Sequence, residues 1–170
     1  MNQADELLDV VDDEDQVIDT LTRGEIHRRG LKHRSIHLMV FNDRGEVFLQ
    51  KRSMQKDNNP GLWDSSVSGH VDAGENYDVC VIREAVEEIG LHLDKTPERL
   101  FKLDASKETG FEFTWIYRCE HNGPFELNQD EIDCGGWFSE AEVDQWLVER
   151  PEEVARSAQL IWRTYRARSA

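Results

Sequence analysis

Glu84, Glu87 and Glu88 stand one, three and four residues apart between Asn76 and Ile89, a spacing that makes them neighbours if the segment is helical. Like charges placed this way cost roughly 0.2–0.5 kcal/mol per pair. A hard divalent cation reverses that sign, because Mg2+ takes oxygen ligands and keeps waters of its own. A solvated acidic helix face would carry the same three residues, so the helix alone leaves both readings open. The preceding loop, Gly69-His70-Val71-Asp72-Ala73-Gly74-Glu75, supplies two glycines and two acids. Glycine permits backbone conformations and close approaches that other residues resist, and such a loop can turn a carbonyl towards a metal. The chemistry open to this arrangement is metal-assisted hydrolysis. A bound cation neutralises phosphate oxygens and lowers the pKa of a bound water, and a general base can assist that water.

The elements that must position these groups follow from patterning. Val79, Ile82, Val86 and Ile89 recur at helical spacing and predict an apolar face opposite the carboxylates on a helix over 76–89, ended by Gly90. The charged turn Asp12 to Asp15 separates two β-rich runs and predicts an N-terminal hairpin over about 8–21. A second hairpin is expected from Ile36 to Phe41 and Glu46 to Lys51 around Asn42-Asp43-Arg44-Gly45. Extended segments are expected at Trp63 to Ser68, around the alternating Phe113, Trp115 and Tyr117, and ending at Trp137-Phe138. Ser139 and Glu142 fit a capping box opening a short helix, and Pro151 suits the first turn of a last helix to about Arg166. Strands mixed with a few helices imply an α/β or α+β sandwich around a mixed sheet, in one domain over residues 1–170.

Composition narrows the ligand. With 20 Lys and Arg against 35 Asp and Glu, the net charge of -15 repels a polyphosphate backbone, so no long nucleic acid is expected and the phosphate ligand should be small. No apolar run is long enough for a membrane span. Neither the acidic start nor the three irregularly spaced cysteines suggests export, and a cytoplasmic location with reduced thiols is expected.

Gly69, Glu75, Arg83, Glu84, Ala85, Glu87, Glu88, Gly90 and Leu91 resemble the Nudix box throughout: Gly, five residues, Glu, seven residues, Arg-Glu, an apolar residue, any residue, Glu-Glu, any residue, Gly, apolar. The resemblance, spanning residues 69 to 91, implies a Nudix α/β/α sandwich with a loop-helix-loop motif. It also implies Mg2+ or Mn2+ bridging the phosphates of a small diphosphate substrate. By it, Glu84, Glu87 and Glu88 are metal ligands to which the Gly69 carbonyl and His70 are candidate additions. Arg83 and Glu75 resemble a supporting ion pair. Family resemblance also makes a homodimer an expected assembly, with the N-terminal hairpin a candidate to take part. A Nudix-fold binding module without chemistry is a competing reading.

Outside the box, His33, Leu49-Gln50-Lys51-Arg52, Pro60-Gly61-Leu62-Trp63 and Ser68-Gly69-His70 are similar to isopentenyl diphosphate isomerase, a branch of the same superfamily. That resemblance implies diphosphate binding by Arg52 and Lys56. It matches His33, His70 and Glu112 to metal ligands of the isomerase, with His27 one residue off register and Gly110 where a second glutamate belongs. Ser68 replaces its catalytic cysteine, and serine is a much poorer acid, so hydrolysis is favoured over isomerisation. Glu112 is the candidate for an extra metal ligand or general base, Glu131 a second one, and His27, His33 and His37 are read as surface or packing residues. Trp63 and Trp115 are read as packing, while Phe111 and Phe113 are candidates for stacking or packing.

Overall fold

Cap residues and apolar alternation set the elements of the computed structural model, which describes residues 2–169. After a 3-10 turn at Gln3–Asp5, β1 (Leu7–Val11) and β2 (Val17–Thr22) form the N-terminal hairpin, and α1 (Arg23–Arg29) follows from a Thr22 cap. Then come β3 (His33–Phe41), β4 (Val47–Arg52), β5 (Trp63–Asp64), β6 (Val67–His70) and α2 (Tyr77–Ile89). The chain continues through β7 (Glu98–Leu103), β8 (Glu112–Glu120), β9 (Ile132–Phe138), α3 (Glu140–Glu149) and α4 (Arg156–Ser169). This is the mixed α/β architecture expected. The helix α1 and the strand β7 were not anticipated, because neither carries a clear apolar period of its own.

The expected hairpin of β3 and β4 is corrected in one respect: the two strands pair only at Phe41 and Val47, beside the turn. Beyond that pair they part, and each finds other neighbours. β3 runs parallel to β8 and antiparallel to β6, while β4 lies between β5 and β9. Parallel pairing of β3 and β8 aligns His33 with Glu112, and the β3–β6 register aligns Ser35 with His70. Histidines and a carboxylate far apart in sequence thus reach one end of the sheet.

One core, under α2, joins Ile36, Leu38, Val67, Val81, Ala85, Ile89 and Tyr117; a second, under α3 and α4, joins Phe41, Val47, Ile116, Trp146, Ile161 and Trp162. The last helix starts later than expected. Pro151 begins a separate 3-10 turn, Pro151–Glu153, and α4 opens at Arg156. Trp63 packs edge-on against Phe138 and Trp146 in this second layer, as expected of a packing residue.

The N-terminal hairpin is fastened by Asp15, which takes a left-handed backbone conformation (φ 60°) at the turn, one that aspartate tolerates better than most residues. Its carboxylate accepts from Arg34 Nε at 2.7 Å, Tyr77 Oη at 2.7 Å and Lys102 Nζ at 2.6 Å, drawing β3, α2 and β7 together. Burial alone would raise this carboxyl, yet the donors outweigh it and hold Asp15 below the usual range. Asp9 accepts from Gly74 N–H at 2.9 Å, so the hairpin also braces the glycine loop before α2.

Candidate active site

Helix α2 is set by its ends. The Asn76 side chain accepts from Val79 N–H, and Gly90 closes the helix in the left-handed region at φ 66°. The buried face differs from the expected one. Tyr77, Val81, Ala85 and Ile89, four apart, lie against the sheet, whereas Val79 and Val86 are 51% and 38% exposed. Glu84 and Glu88 share the next row with Cys80 and turn inward beside the sheet, while Glu87 stays exposed at 55%. The three carboxylates therefore do not form a solvated stripe.

Glu88 is buried, and its Oε1 accepts from Ser68 N–H at 2.8 Å and Gln50 Nε2 at 3.2 Å. Burial pushes its carboxyl up to about 8 against the Ser68 hydrogen bond, and Glu131 adds to the rise. Glu84 is likewise held well above the ordinary range, by burial first and the Glu88 charge second. Its carboxyl lies so close over Gly69 that a methyl group on Gly69 would overlap it. Glycine is required there for the backbone to approach the acid.

Arg83 organises the outer side. It grips Glu75 with two hydrogen bonds, Nε at 2.8 Å and Nη2 at 2.9 Å, and its Nη1 donates to Glu84 at 2.9 Å and Glu87 at 3.0 Å. Nη2 also donates to the His70 carbonyl at 3.2 Å, which ties the glycine loop to the helix. The expected ion pair of Arg83 and Glu75 is thus one arm of a larger network. Burial opposes the ionised Glu75, but Arg83 outweighs it and lowers its pKa.

A cavity of about 560 Å³ opens over this helix face, and Glu84, Glu88, Arg52, Lys56, Glu112 and Glu131 line it. Arg52 and Lys56 reach it, though neither is an exposed strand-end cation. Arg52 is buried and donates to Asp64 at 3.2 Å and to the Asn58 carbonyl at 3.0 Å; Lys56 is paired with Glu131. Ser68 Oγ donates to Asp64 at 3.4 Å. Phe111 borders the cavity while Phe113 is buried in the sheet, and Trp115 lies under the Arg99 guanidinium.

A second cluster of polar groups lines the same cavity. His70 Nε2 lies 2.9 Å from Glu112 Oε1, and His33 Nε2 lies 3.3 Å from the same oxygen. The rings of His27, His33 and His70 form a triangle with centroids 5.1–5.2 Å apart. Burial, then the neighbouring histidines, bring His27 down to about 4. Burial would raise Glu112, but His70 and His33 hold it well below its usual value. His37 stands apart as a buried packing residue, with Nδ1 2.8 Å from Ser65 Oγ. His33 is buried as a packing residue would be, yet it and His27 belong with His70 and Glu112 to one polar cluster.

A mixed sheet thus carries a glycine loop and a helix with two inward-facing glutamates on one cavity wall. Comparison with known proteins gives the family: residues 31–161 match the NUDIX domain. A Nudix hydrolase of Streptomyces coelicolor is 36% identical over 152 residues, covering 88% of this chain and 83% of its own. The Escherichia coli K12 Nudix hydrolase YfcD is 30% identical over 141 residues, covering 81% and 76%. The crystal structure of the Deinococcus radiodurans protein DR0079 superposes with a TM-score of 0.83 at 26% identity, covering 94% of this chain and 99% of that one. The Nudix domain of Shewanella oneidensis NrtR, solved with ADP ribose, shares the fold at a TM-score of 0.61 and 18% identity over 88% of this chain and 100% of its own. The chain belongs to the Nudix hydrolase family, whose members generally use divalent metal ions. No helix among the described residues is long and apolar enough to cross a membrane.

Proposed function

We propose that this enzyme hydrolyses a phosphoanhydride bond in a nucleoside diphosphate derivative, with Mg2+ or Mn2+ held by Glu84, Glu87 and Glu88 and by the Gly69 carbonyl. The observation that carries this reading is the pair of inward-facing acids Glu84 and Glu88. Both are raised by burial and, for Glu84, by the other's charge, a cost that a cation between them removes. The donor set, carboxylates and a carbonyl, is the hard oxygen set such ions prefer. The absence of a side chain on Gly69 lets its backbone approach the Glu84 carboxyl, which a methyl there would overlap, and this supports the Gly69 carbonyl as a further candidate ligand.

Bound there, the cation supplies charge neutralisation on the diphosphate and a water of lowered pKa. The protein's own groups do the rest. Arg83 holds Glu84 and Glu87 in place while Glu75 holds Arg83. Ser68 N–H and Gln50 fix one oxygen of Glu88, which lines the cavity. Arg52 and Lys56 are the candidate phosphate-binding cations, each released from its carboxylate partner when an anionic phosphate competes for it. Glu112, ionised and on the cavity wall, is the candidate general base, and His70 an additional contact to metal or phosphate. ADP ribose, bound by the NrtR domain, is the first compound to try.

The test is incubation with Mg2+ and a panel of nucleoside di- and triphosphates, nucleotide sugars, dinucleotides, ADP ribose and isopentenyl diphosphate, with products identified. Cleavage of one of the nucleotide-derived compounds is expected. No cleavage of any, together with double-bond migration in isopentenyl diphosphate, would overturn the proposal.

A further inference from the structure

We infer, resting on the glutamate metal site proposed above, that Asp9 is a positioning residue for that site although it stands outside the cavity. It lies on β1, in a hairpin that precedes the matched domain of residues 31–161. The line of contact runs from Asp9 through Gly74 and Glu75 to Arg83, and from Arg83 to Glu84 and Glu87.

The glycine loop bends through a four-residue turn, Asp72 to Glu75, closed by Glu75 N–H donating to the Asp72 carbonyl at 2.9 Å, with Gly74 at φ 78°. The N–H groups of Ala73 and Gly74 take no part in closing that turn, and β1 supplies an acceptor for each. Leu8 forms an antiparallel bridge with Asp72. The Leu7 carbonyl accepts from Ala73 at 2.9 Å, and the Asp9 carboxylate accepts from Gly74 at 2.9 Å. Both ends of the turn face Arg83: Glu75 takes two of its hydrogen bonds, and Asp72 Oδ2 lies 3.5 Å from Nη2. Hydrogen bonds weaken steeply with distance and angle. The seat of the turn on β1 therefore sets where Glu75 holds the guanidinium, and through it where Glu84 and Glu87 stand.

The partners of Asp9 separate this role from packing. Asp9 is buried; its Oδ1 accepts from Thr20 Oγ1 at 3.0 Å within the hairpin, and its Oδ2 accepts from Gly74. The clasp that fastens the hairpin to the domain is Asp15, with Arg34, Tyr77 and Lys102, rather than Asp9. Removing the Asp9 carboxylate thus frees Gly74 and leaves the hairpin docked. Asparagine can keep both contacts, its amide oxygen accepting from Gly74 and its Nδ2 donating to Thr20. Alanine and valine keep neither.

The experiment titrates the metal-free full chain with Mn2+ alone, read by electron paramagnetic resonance, and follows amide exchange by NMR before metal is added. Wild type should bind Mn2+ in a step that Glu84→Gln/Glu88→Gln removes. Asp9→Ala should weaken that step about ten-fold, the scale of one hydrogen bond to a charged group, while Asp9→Asn and Thr20→Val stay within about two-fold of wild type. In metal-free Asp9→Ala the Glu75 amide, whose own bond is untouched, should exchange about ten-fold faster. Asp9→Val, β-branched and suited to a strand, decides if Asp9→Ala does not fold. Wild-type Mn2+ affinity or wild-type Glu75 exchange in Asp9→Ala would overturn the positioning role alone. So would a loss in Asp9→Asn or Thr20→Val as large as in Asp9→Ala, which would make Asp9 a packing residue of the hairpin. Absence of any Mn2+ step that the glutamates carry would overturn the metal site itself, and the role of Asp9 with it.

Discussion

Two sets of buried carboxylates in this molecule behave in opposite ways. Asp15 meets three donor side chains, Arg34, Tyr77 and Lys102, and its pKa is lowered. Glu84 and Glu88 are as deeply placed, but they face each other with fewer donors, and both are raised. A buried charge is tolerated when hydrogen bonds and counter-charges compensate its lost hydration. Asp15 is compensated from within the chain and serves the fold. The glutamates of α2 are left short of positive charge beside an open cavity, which is what a cation-dependent site requires.

The comparison can be broken most severely at the helix. Glu88→Gln, isosteric and neutral, should lower kcat by about a thousand-fold while the metal-free protein melts no lower than wild type, since the substitution removes a raised acid. Steady-state kinetics and calorimetry together check this; turnover within ten-fold of wild type would sink the site assignment. Asp15→Asn should do the reverse. Stripping a partnered buried charge costs about 3 kcal/mol, seen as a lower denaturation midpoint, while Mg2+ binding is kept. Because Asp15 is lowered in the folded state, its contribution is present above the unfolded value of about 3.9 and is lost as pH falls below it. The stability gap between wild type and Asp15→Asn should therefore close in acid.

Smaller effects sharpen the picture. Gly69→Ala forces a methyl into the Glu84 carboxyl and should cost about thirty-fold in kcat, roughly 2 kcal/mol, with the melting temperature little changed. Lys56→Ala removes a cavity cation now paired with Glu131. It should raise KM about ten-fold with kcat within about two-fold, the signature of lost uniform binding. An unchanged KM would remove Lys56 from the phosphate site.

Much of the fold was legible in the sequence where local signals suffice. Asn76 and Gly90 bracket α2, Ser139 and Glu142 form the capping box of α3, and the Asp12 to Asp15 turn sits between β1 and β2. The face of α2 was not legible. Val79 and Val86 fit a helical stripe as well as Val81 and Ala85 do, and only the sheet beneath decides which row is covered. Nor could local pattern show that Arg52 and Lys56 are held by Asp64 and Glu131, the latter 75 residues away. The histidine cluster depends on the parallel pairing of β3 with β8, a long-range choice that no single segment encodes.

The most direct test of the contrast is the Mg2+-induced shift in melting temperature at about pH 5.5 and about pH 8.5, for wild type, Glu84→Gln/Glu88→Gln and Asp15→Asn. Glu88, raised to about 8, binds its proton more tightly folded than unfolded. Metal-free stability therefore declines as pH climbs from about 4.3 through that value, and added Mg2+ should restore it increasingly. The account predicts a shift that grows with pH in wild type and in Asp15→Asn and vanishes in the double glutamine variant. A shift that persists undiminished in the double variant would contradict it.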